Sequence, residues 1–126
     1  MSRDIYDLEP ETAKMCQDFL DLARGHGYNV ILTATYRSFE EQDALYAQGR
    51  TKKGNIVTNA RGGQSLHNHR VAFDFAPVKD GKIDWNDTKT WEALGKLGEQ
   101  VGLEWGGRWK FKDMPHLQKR GFKIPK

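Results

Sequence analysis

The feature that most constrains this chain is a short run of metal-ligand side chains, His67, His69 and Asp74. They lie within the stretch Arg61-Gly-Gly-Gln-Ser-Leu-His-Asn-His-Arg-Val-Ala-Phe-Asp-Phe75. If His67 and Asp74 are to face one ion, the chain must bend between them and run into a strand. A catalytic zinc takes three protein ligands and leaves a fourth position open for water, so a third ligand must come from elsewhere. The histidines are His26, His67, His69 and His116. His116 ends the sequence Asp113-Met-Pro-His, which sets an acid three residues before a candidate ligand. Two histidines, an aspartate and an extra carboxylate beside the last histidine form the working hypothesis. His69 leaves an alternative open, because in an extended segment it shares a face with His67 and a His-x-His pair can chelate a metal. Composition alone favours a plainer reading, in which these are scattered polar residues and one is a hydrogen-bonded core histidine.

At 126 residues the chain is sized for one domain with a single core. No apolar run approaches the length of a membrane span, and the opening MSRDIYDLEPET is acidic and polar, unlike a signal peptide. The single cysteine, Cys16, excludes an intramolecular disulfide and fits a reducing compartment. It reads as a helix core residue rather than a nucleophile. The net charge of +3 and pI near 9.0 are compatible with attraction to a polyanionic surface, but only weakly so.

Periodicity places a helix over Pro10 to His26, with Ala13, Cys16, Phe19, Leu20 and Ala23 on one stripe. Asn29 to Thr35 is a β-branched apolar run expected to form a buried strand. Ser38-Phe-Glu-Glu41 has capping-box spacing and starts a second helix running to about Gln48. Arg37 therefore stands where a strand meets a helix. The polar, basic segment from Gly49 to Gly63 is too long for a plain connection and is expected to wall a cleft, with Lys52 and Lys53 either working there or merely solvated. Val71 to Val78 reads as a strand, and Lys79-Asp80-Gly81-Lys82 as a hairpin turn leading to Ile83 and Trp85. Asp87 caps a third helix to about Val101, with Trp91, Leu94, Leu97 and Val101 on one face. Leu103 to Trp105 and His116 to Gln118 are short strands, and the tail from Gly121 is a loose end or an edge strand. The pattern is α+β, with helices packed on a small, mainly antiparallel sheet.

Ser65-Leu-His67-Asn-His-Arg70-Val-Ala72-Phe-Asp74 resembles the S-x-H-x-x-G-x-A-x-D motif of the M15 family of zinc peptidases. Asp113-Met-Pro-His116 is similar to the family's second element. Thr35-Tyr-Arg37-Ser-Phe-Glu-Glu-Gln42, with Leu45-Tyr46 and Gly49-Arg50, resembles the segment bearing its substrate-facing arginine. The likeness is strongest to phage endolysin L-alanyl-D-glutamate endopeptidases, which are related to D-Ala-D-Ala carboxypeptidases and dipeptidases. Arg70 departs from the motif, standing where glycine is usual, and arginine resists positive φ.

The resemblance implies one Zn2+ held by His67, Asp74 and His116, with His69 and His26 outside the ligand set. Asp113 becomes the general base, with Glu104 as its rival. Arg37 faces the scissile carbonyl, and Gln64 and Ser65 bind the peptide. Trp105 and Trp109 line the cleft or belong to the core. The expected protein is a single-domain, monomeric enzyme spanning 1–126 with no separate wall-binding domain. Its partner is bacterial peptidoglycan, not nucleic acid. It is held in the host cytoplasm until released to the wall at lysis. A D-alanyl-D-alanine carboxypeptidase and a non-catalytic zinc-bearing binding module are the alternatives.

Overall fold

A computed structural model describes residues 1–125. Helix α1 spans Pro10–Gly25, strand β1 Val30–Ala34, helix α2 Phe39–Ala47 and strand β2 Ala72–Pro77. Helix α3, Thr88–Gln100, is followed by β3, Leu103–Trp105, and β4, His116–Lys119. A short 3-10 turn, Leu66–His69, precedes β2. The strands form one fully antiparallel sheet in the order β1-β2-β4-β3. This is the expected α+β arrangement.

Local chemistry fixes the helix starts. Pro10 occupies the first turn of α1, where its missing N–H costs nothing, and the Glu9 carboxylate accepts from the Glu11 and Thr12 amides. At α2 the capping box is complete: Ser38 Oγ accepts from the Glu41 amide at 3.0 Å, and Glu41 Oε1 accepts from the Ser38 amide at 2.9 Å. Asp87 caps α3 through the Thr90 amide.

Strand alternation then divides β2 into two faces. Phe73 and Phe75 enter the core with Phe19 of α1 and Trp91 of α3, the Phe19–Phe75 centroids lying 5.1 Å apart. Each such fully buried side chain contributes about 1.5–3 kcal/mol. Asp74, between them, emerges on the other face. Two glycines let α3 lie close on the sheet. A Cβ at Gly95 would sit 2.2 Å from the Trp105 ring, and one at Gly98 2.5 Å from Leu117.

Two local expectations change, and one open alternative is resolved. Strand β1 is an edge rather than a buried strand, and Ile31 is 43% exposed. The turn at Asp80 and Gly81 has positive φ at both residues (53° and 75°), as a type I′ hairpin turn requires. It closes only a single Lys79–Lys82 bridge, however, and Ile83 to Trp85 forms no strand. The tail through Pro125 adds no strand to the sheet. Among the described residues no helix is long and apolar enough to cross a membrane.

Candidate metal centre

Sheet register builds two corners of the centre. Asp74 and His116 are direct partners across β2 and β4, so their side chains leave the sheet together on the face away from the aromatic core. The third corner, His67, is carried by the 3-10 turn. Ser65 caps that turn, and Asn68 Oδ1 accepts from the Ser65 and Gly63 amides at 3.2 and 3.0 Å. The turn ends at Arg70, which does adopt the left-handed conformation, φ 64° and ψ 26°. Three contacts hold it there: Arg70 Nη1 donates to the Asp7 carbonyl at 2.9 Å, the Arg70 carbonyl accepts from the Glu9 amide, and the guanidinium lies 3.9 Å from the Tyr36 ring centroid. The departure from glycine is thus offset by the two side-chain interactions, which glycine cannot make.

His67 Nε2 lies 3.2 Å and His116 Nδ1 3.3 Å from Asp74 Oδ1. One ligand atom from each residue lies within 4.8 Å of the other two. The outer nitrogens set the tautomers. His67 Nδ1 is 2.8 Å from the Thr35 carbonyl, which can only accept, so Nδ1 carries the hydrogen. His116 Nε2 likewise donates to Gln118 Oε1 at 2.8 Å. In the neutral rings, the inner nitrogens then turn lone pairs toward a carboxylate oxygen that is buried and has no hydrogen-bond partner. Three converging lone pairs without a proton among them call for a cation, and outer carbonyl or amide partners are the usual way to aim metal-binding imidazoles. Without a metal, protons serve the same purpose. Burial pushes the Asp74 carboxyl up, yet the hydrogen bonds and charge of His116 and His67 hold it below the usual range. Burial pulls His116 down, but Asp74 outweighs it and raises the imidazole. Metal and protons therefore compete for one site.

The centre opens into a cleft of about 420 Å³ whose walls include Arg37, Ser65, Asp113, Leu45, Val57 and Thr58. Arg37 Nη1 donates to Gln42 Oε1 at 2.9 Å, while its Nε is buried without a partner. Arg37 Nε and Asp74 Oδ1 are the two buried side-chain polar atoms left unsatisfied among the described residues, and both belong to this cleft. Such atoms carry a desolvation cost unless a ligand completes them. Burial lowers the guanidinium pKa, Asp74, Glu41 and Asp113 oppose that, and an arginine starting so high stays charged. Asp113, half-exposed at the rim, has Oδ2 3.9 Å from His116 Nδ1. Burial first, and the charge of Asp74 second, raise its carboxyl, against the pull of His116, His67 and Arg37. A carboxylate tuned upward beside a cation site is suited to carrying a proton.

Other expected residues lie elsewhere. Gln64 is exposed and outside the cleft lining, and its Oε1 accepts from the Arg61 amide at 2.8 Å. The 3-10 turn, rather than an extended segment, sends the His69 ring away from His67. His69 Nε2 bonds to the Gly63 carbonyl at 2.8 Å between the Phe39 and Phe122 rings. His26 caps the end of α1. Glu104 accepts from the Trp109 indole at 3.0 Å and does not line the cleft, whereas the Trp109 ring packs 5.2 Å from His116. Trp105 is core, its indole donating to the Met114 carbonyl. Sequence reasoning missed Gln42 and Asn68, both buried and both bonded to Arg37, the latter through its backbone carbonyl at 2.9 Å. A polar residue on the inward face of a capped helix was the available signal for Gln42. A second cleft, of about 440 Å³ between Tyr28 and Thr90, contains none of these groups.

A half-open His-Asp-His centre flanked by a carboxylate and a guanidinium defines the class, a site for metal-assisted hydrolysis. The family model for VanY, D-alanyl-D-alanine carboxypeptidase, matches residues 6–115. The peptidoglycan L-alanyl-D-glutamate endopeptidase CwlK of Bacillus subtilis (strain 168) is 47% identical over 122 residues, covering 89% of this chain and 73% of that protein. The chain belongs to the VanY family. An L-alanyl-D-glutamate peptidase of a Listeria phage is 29% identical across 91% of this chain, which spans only 39% of that relative's length. In fold, the chain is similar to the Serratia marcescens L-Ala D-Glu endopeptidase ChiX, with a TM-score of 0.69 at 18% identity over 91% of this chain and 82% of that one. It is also similar to a mutant of the vancomycin-resistance D,D-pentapeptidase VanY in complex with Zn(II), with a TM-score of 0.66 at 16% identity over 90% and 73%.

Proposed function

We propose that this protein is a zinc peptidase that hydrolyses the L-Ala–D-Glu bond of peptidoglycan stem peptides. The substrate reading draws on CwlK, which carries that activity in its name at 47% identity. The chemical reading is carried by one observation: the two unsatisfied buried polar atoms, an acceptor at Asp74 and a donor at Arg37, share one cleft.

His67, Asp74 and His116 would hold the zinc, two imidazoles and a carboxylate being a donor set that suits it. When bound, the ion supplies Lewis acidity toward the scissile carbonyl and makes water a stronger acid. Asp113 takes the proton of the attacking water and returns it to the leaving amine. Arg37 Nε–H donates to the carbonyl oxygen as negative charge builds there. Leu45 and Val57 exclude water on the opposite wall, and Ser65 contributes by holding the His67 turn. The work of this chain takes place at the cell wall, reached from the host cytoplasm at lysis, and the chain acts as a monomer on peptidoglycan rather than on nucleic acid.

Digestion of purified peptidoglycan tests the reading. The expected result is new D-Glu amino termini and stems released from their L-Ala. Free D-Ala without such termini would instead establish the carboxypeptidase activity for which the family is named. That rival must grip a terminal carboxylate, and among the described residues Arg37 is the single Lys or Arg in the cleft lining, already assigned to the oxyanion. No release of either product from folded, zinc-loaded protein would leave the binding module.

A further inference from the structure

We infer that Gln42 is a positioning residue that ties the cleft wall at Val57–Thr58 to the Arg37 guanidinium, so that contact with the wall sets the aim of the arginine. Gln42 is fully buried on α2, and both ends of its amide are used. Its Oε1 accepts from Arg37 Nη1 at 2.9 Å. Its Nε2 donates to the Ala60 carbonyl at 2.8 Å and reaches Thr58 Oγ1 at 3.4 Å. The orientation is unambiguous, because a guanidinium only donates and a carbonyl only accepts. One rigid amide therefore spans from the wall to the catalytic arginine.

The wall itself is a clamped segment rather than a free loop. Arg50 donates to the Thr58 carbonyl and to Asn59 Oδ1, both at 3.0 Å, and lies over the Tyr46 ring. The Gly62 amide donates to Asp43 Oδ1 at 2.7 Å, and a Cβ at Gly62 would sit 2.6 Å from the Phe39 carbonyl oxygen. Val57 and Thr58 face the cleft while Thr58 and Ala60 grip Gln42. A substrate that presses on Val57 and Thr58 thus moves the acceptor that orients Arg37. Among the described residues nothing else hydrogen-bonds the guanidinium closely: Nε has no partner, and Nη2 meets only Met1 Sδ at 3.7 Å. The kinetic consequence follows from using binding energy remote from the scissile bond to improve the transition state, which raises kcat rather than lowering KM. That consequence rests on the peptidase reading above; the mechanical coupling does not.

The coupling is read from the Arg37 Nε–H resonance of 15N-labelled, zinc-loaded protein, assigned by its loss in Arg37→Lys. Arg50→Ala, which releases two wall contacts, is compared in the wild-type and Gln42→Met backgrounds. The expected result is a shift of the Arg37 resonance with Gln42 present and none with methionine. Equal shifts in both backgrounds would overturn the inference. Gln42→Glu sharpens the comparison, since it still accepts from Arg37 but cannot donate to the Ala60 carbonyl. Arg37 should stay ordered there yet no longer respond to Arg50→Ala, and a retained response overturns the inference. This variant also carries the test where Gln42→Met does not unfold cooperatively. In kinetics on peptidoglycan, Gln42→Met should lower kcat by up to about 100-fold, as misaimed catalytic groups do, with KM changed by less than about 2-fold. A rise in KM alone would assign Gln42 to binding and overturn the proposal. If the wall polymer is not cut at all, the peptidase reading falls and the resonance comparison still decides the coupling.

Discussion

The half of the site built on the sheet and the half built on loops are made to different standards. Asp74 and His116 are locked by register across β2 and β4, and His67 by a capped turn. The two imidazoles are buried, and their outer nitrogens are engaged by Thr35 and Gln118. Asp113 is half-exposed in the connection between β3 and β4, and Val57 is 57% exposed on a clamped but irregular segment. The difference fits the roles proposed for each half. Metal ligands work only within a few tenths of an ångström and belong on regular backbone. Groups that meet a substrate need access, and connecting segments supply it.

The strongest test of that division separates metal retention from turnover. Replacing His67, Asp74 or His116 with alanine should empty the centre, with zinc by metal analysis falling far below one per chain and lysis abolished. His69→Ala should keep its zinc, since that ring is held by Gly63, Phe39 and Phe122. Asp113→Ala should also keep zinc and fold while turnover falls by about 10²- to 10⁴-fold. Loss of zinc on changing Asp113 would show that the loop half takes part in holding the metal, and the two halves would no longer be distinct.

A second test compares two glycines, one on each side. Gly95→Ala drives a methyl into the buried Trp105 ring, with a built Cβ only 2.2 Å away. Overpacking of that kind costs roughly 1–3 kcal/mol, more than the gain of about 1 kcal/mol that alanine brings to a helix. Gly62→Ala meets the Phe39 carbonyl, a backbone atom, at 2.6 Å, so the clamped wall segment must be displaced to admit the methyl. Urea melts should show both variants losing stability, the Gly95 variant more because its clash lies in the buried core. Activity should be ordered the other way, most impaired for Gly62→Ala. The same order in both assays would mean that wall and sheet are a single rigid unit.

How much could be read from the sequence follows the same division. Amphipathic periodicity and caps located α1, α2 and α3 within a residue or two, because those signals are local. The ligand cluster was legible only through motif resemblance. The pairing of Asp74 with His116 depends on sheet register between segments some forty residues apart, which no local pattern encodes. The alternative of a His67–His69 chelate rested on an extended segment, which the 3-10 turn replaces. Three residues per turn in a 3-10 helix point residues i and i+2 in different directions. The placement of Gln64 was not legible either, because its side chain turns back to accept from the Arg61 amide, a contact no sequence pattern announces. Gln42 offered one weak signal, a polar residue on the inward face of α2, while Asn68 offered none, because a buried amide declares its role only through its partners.

A smaller effect concerns pH and the start of α2, which directly follows Arg37. The chain-terminal amine and the Ser38 amide hold the Glu41 carboxyl down to about 2. A carboxylate with a depressed folded pKa contributes stability that is fully present above its unfolded value near 4.5 and is lost as pH falls toward about 2. Glu41 is exposed enough that solvent screening keeps the contribution well under about 1 kcal/mol. Urea midpoints of wild type and Glu41→Gln should therefore differ slightly at pH 6 and converge near pH 2.5. A gap that widens in acid would mean that the cap does not act through the charge.

The smallest expected change is at Arg70, where the two halves meet. Glycine is the motif residue there and tolerates a φ of 64° without steric cost, whereas an arginine in that conformation gives up about 1 kcal/mol. Arg70→Gly removes that strain but also the hydrogen bond to the Asp7 carbonyl and the stacking on Tyr36, each worth roughly 0.5–1 kcal/mol at an exposed site. Glycine further adds conformational freedom to the unfolded chain. Strain relief offsets only part of these losses, so the urea midpoint should fall slightly, by less than it does for alanine. Arg70→Ala keeps the strain and loses both contacts, and should be less stable by about 1–2 kcal/mol. Zinc content should be unchanged in both variants, because Ser65 and Asn68 hold the turn from its other end. If glycine proves as damaging as alanine, the contacts to Asp7 and Tyr36 dominate, and the turn owes its shape to the N-terminal segment rather than to its own backbone preference.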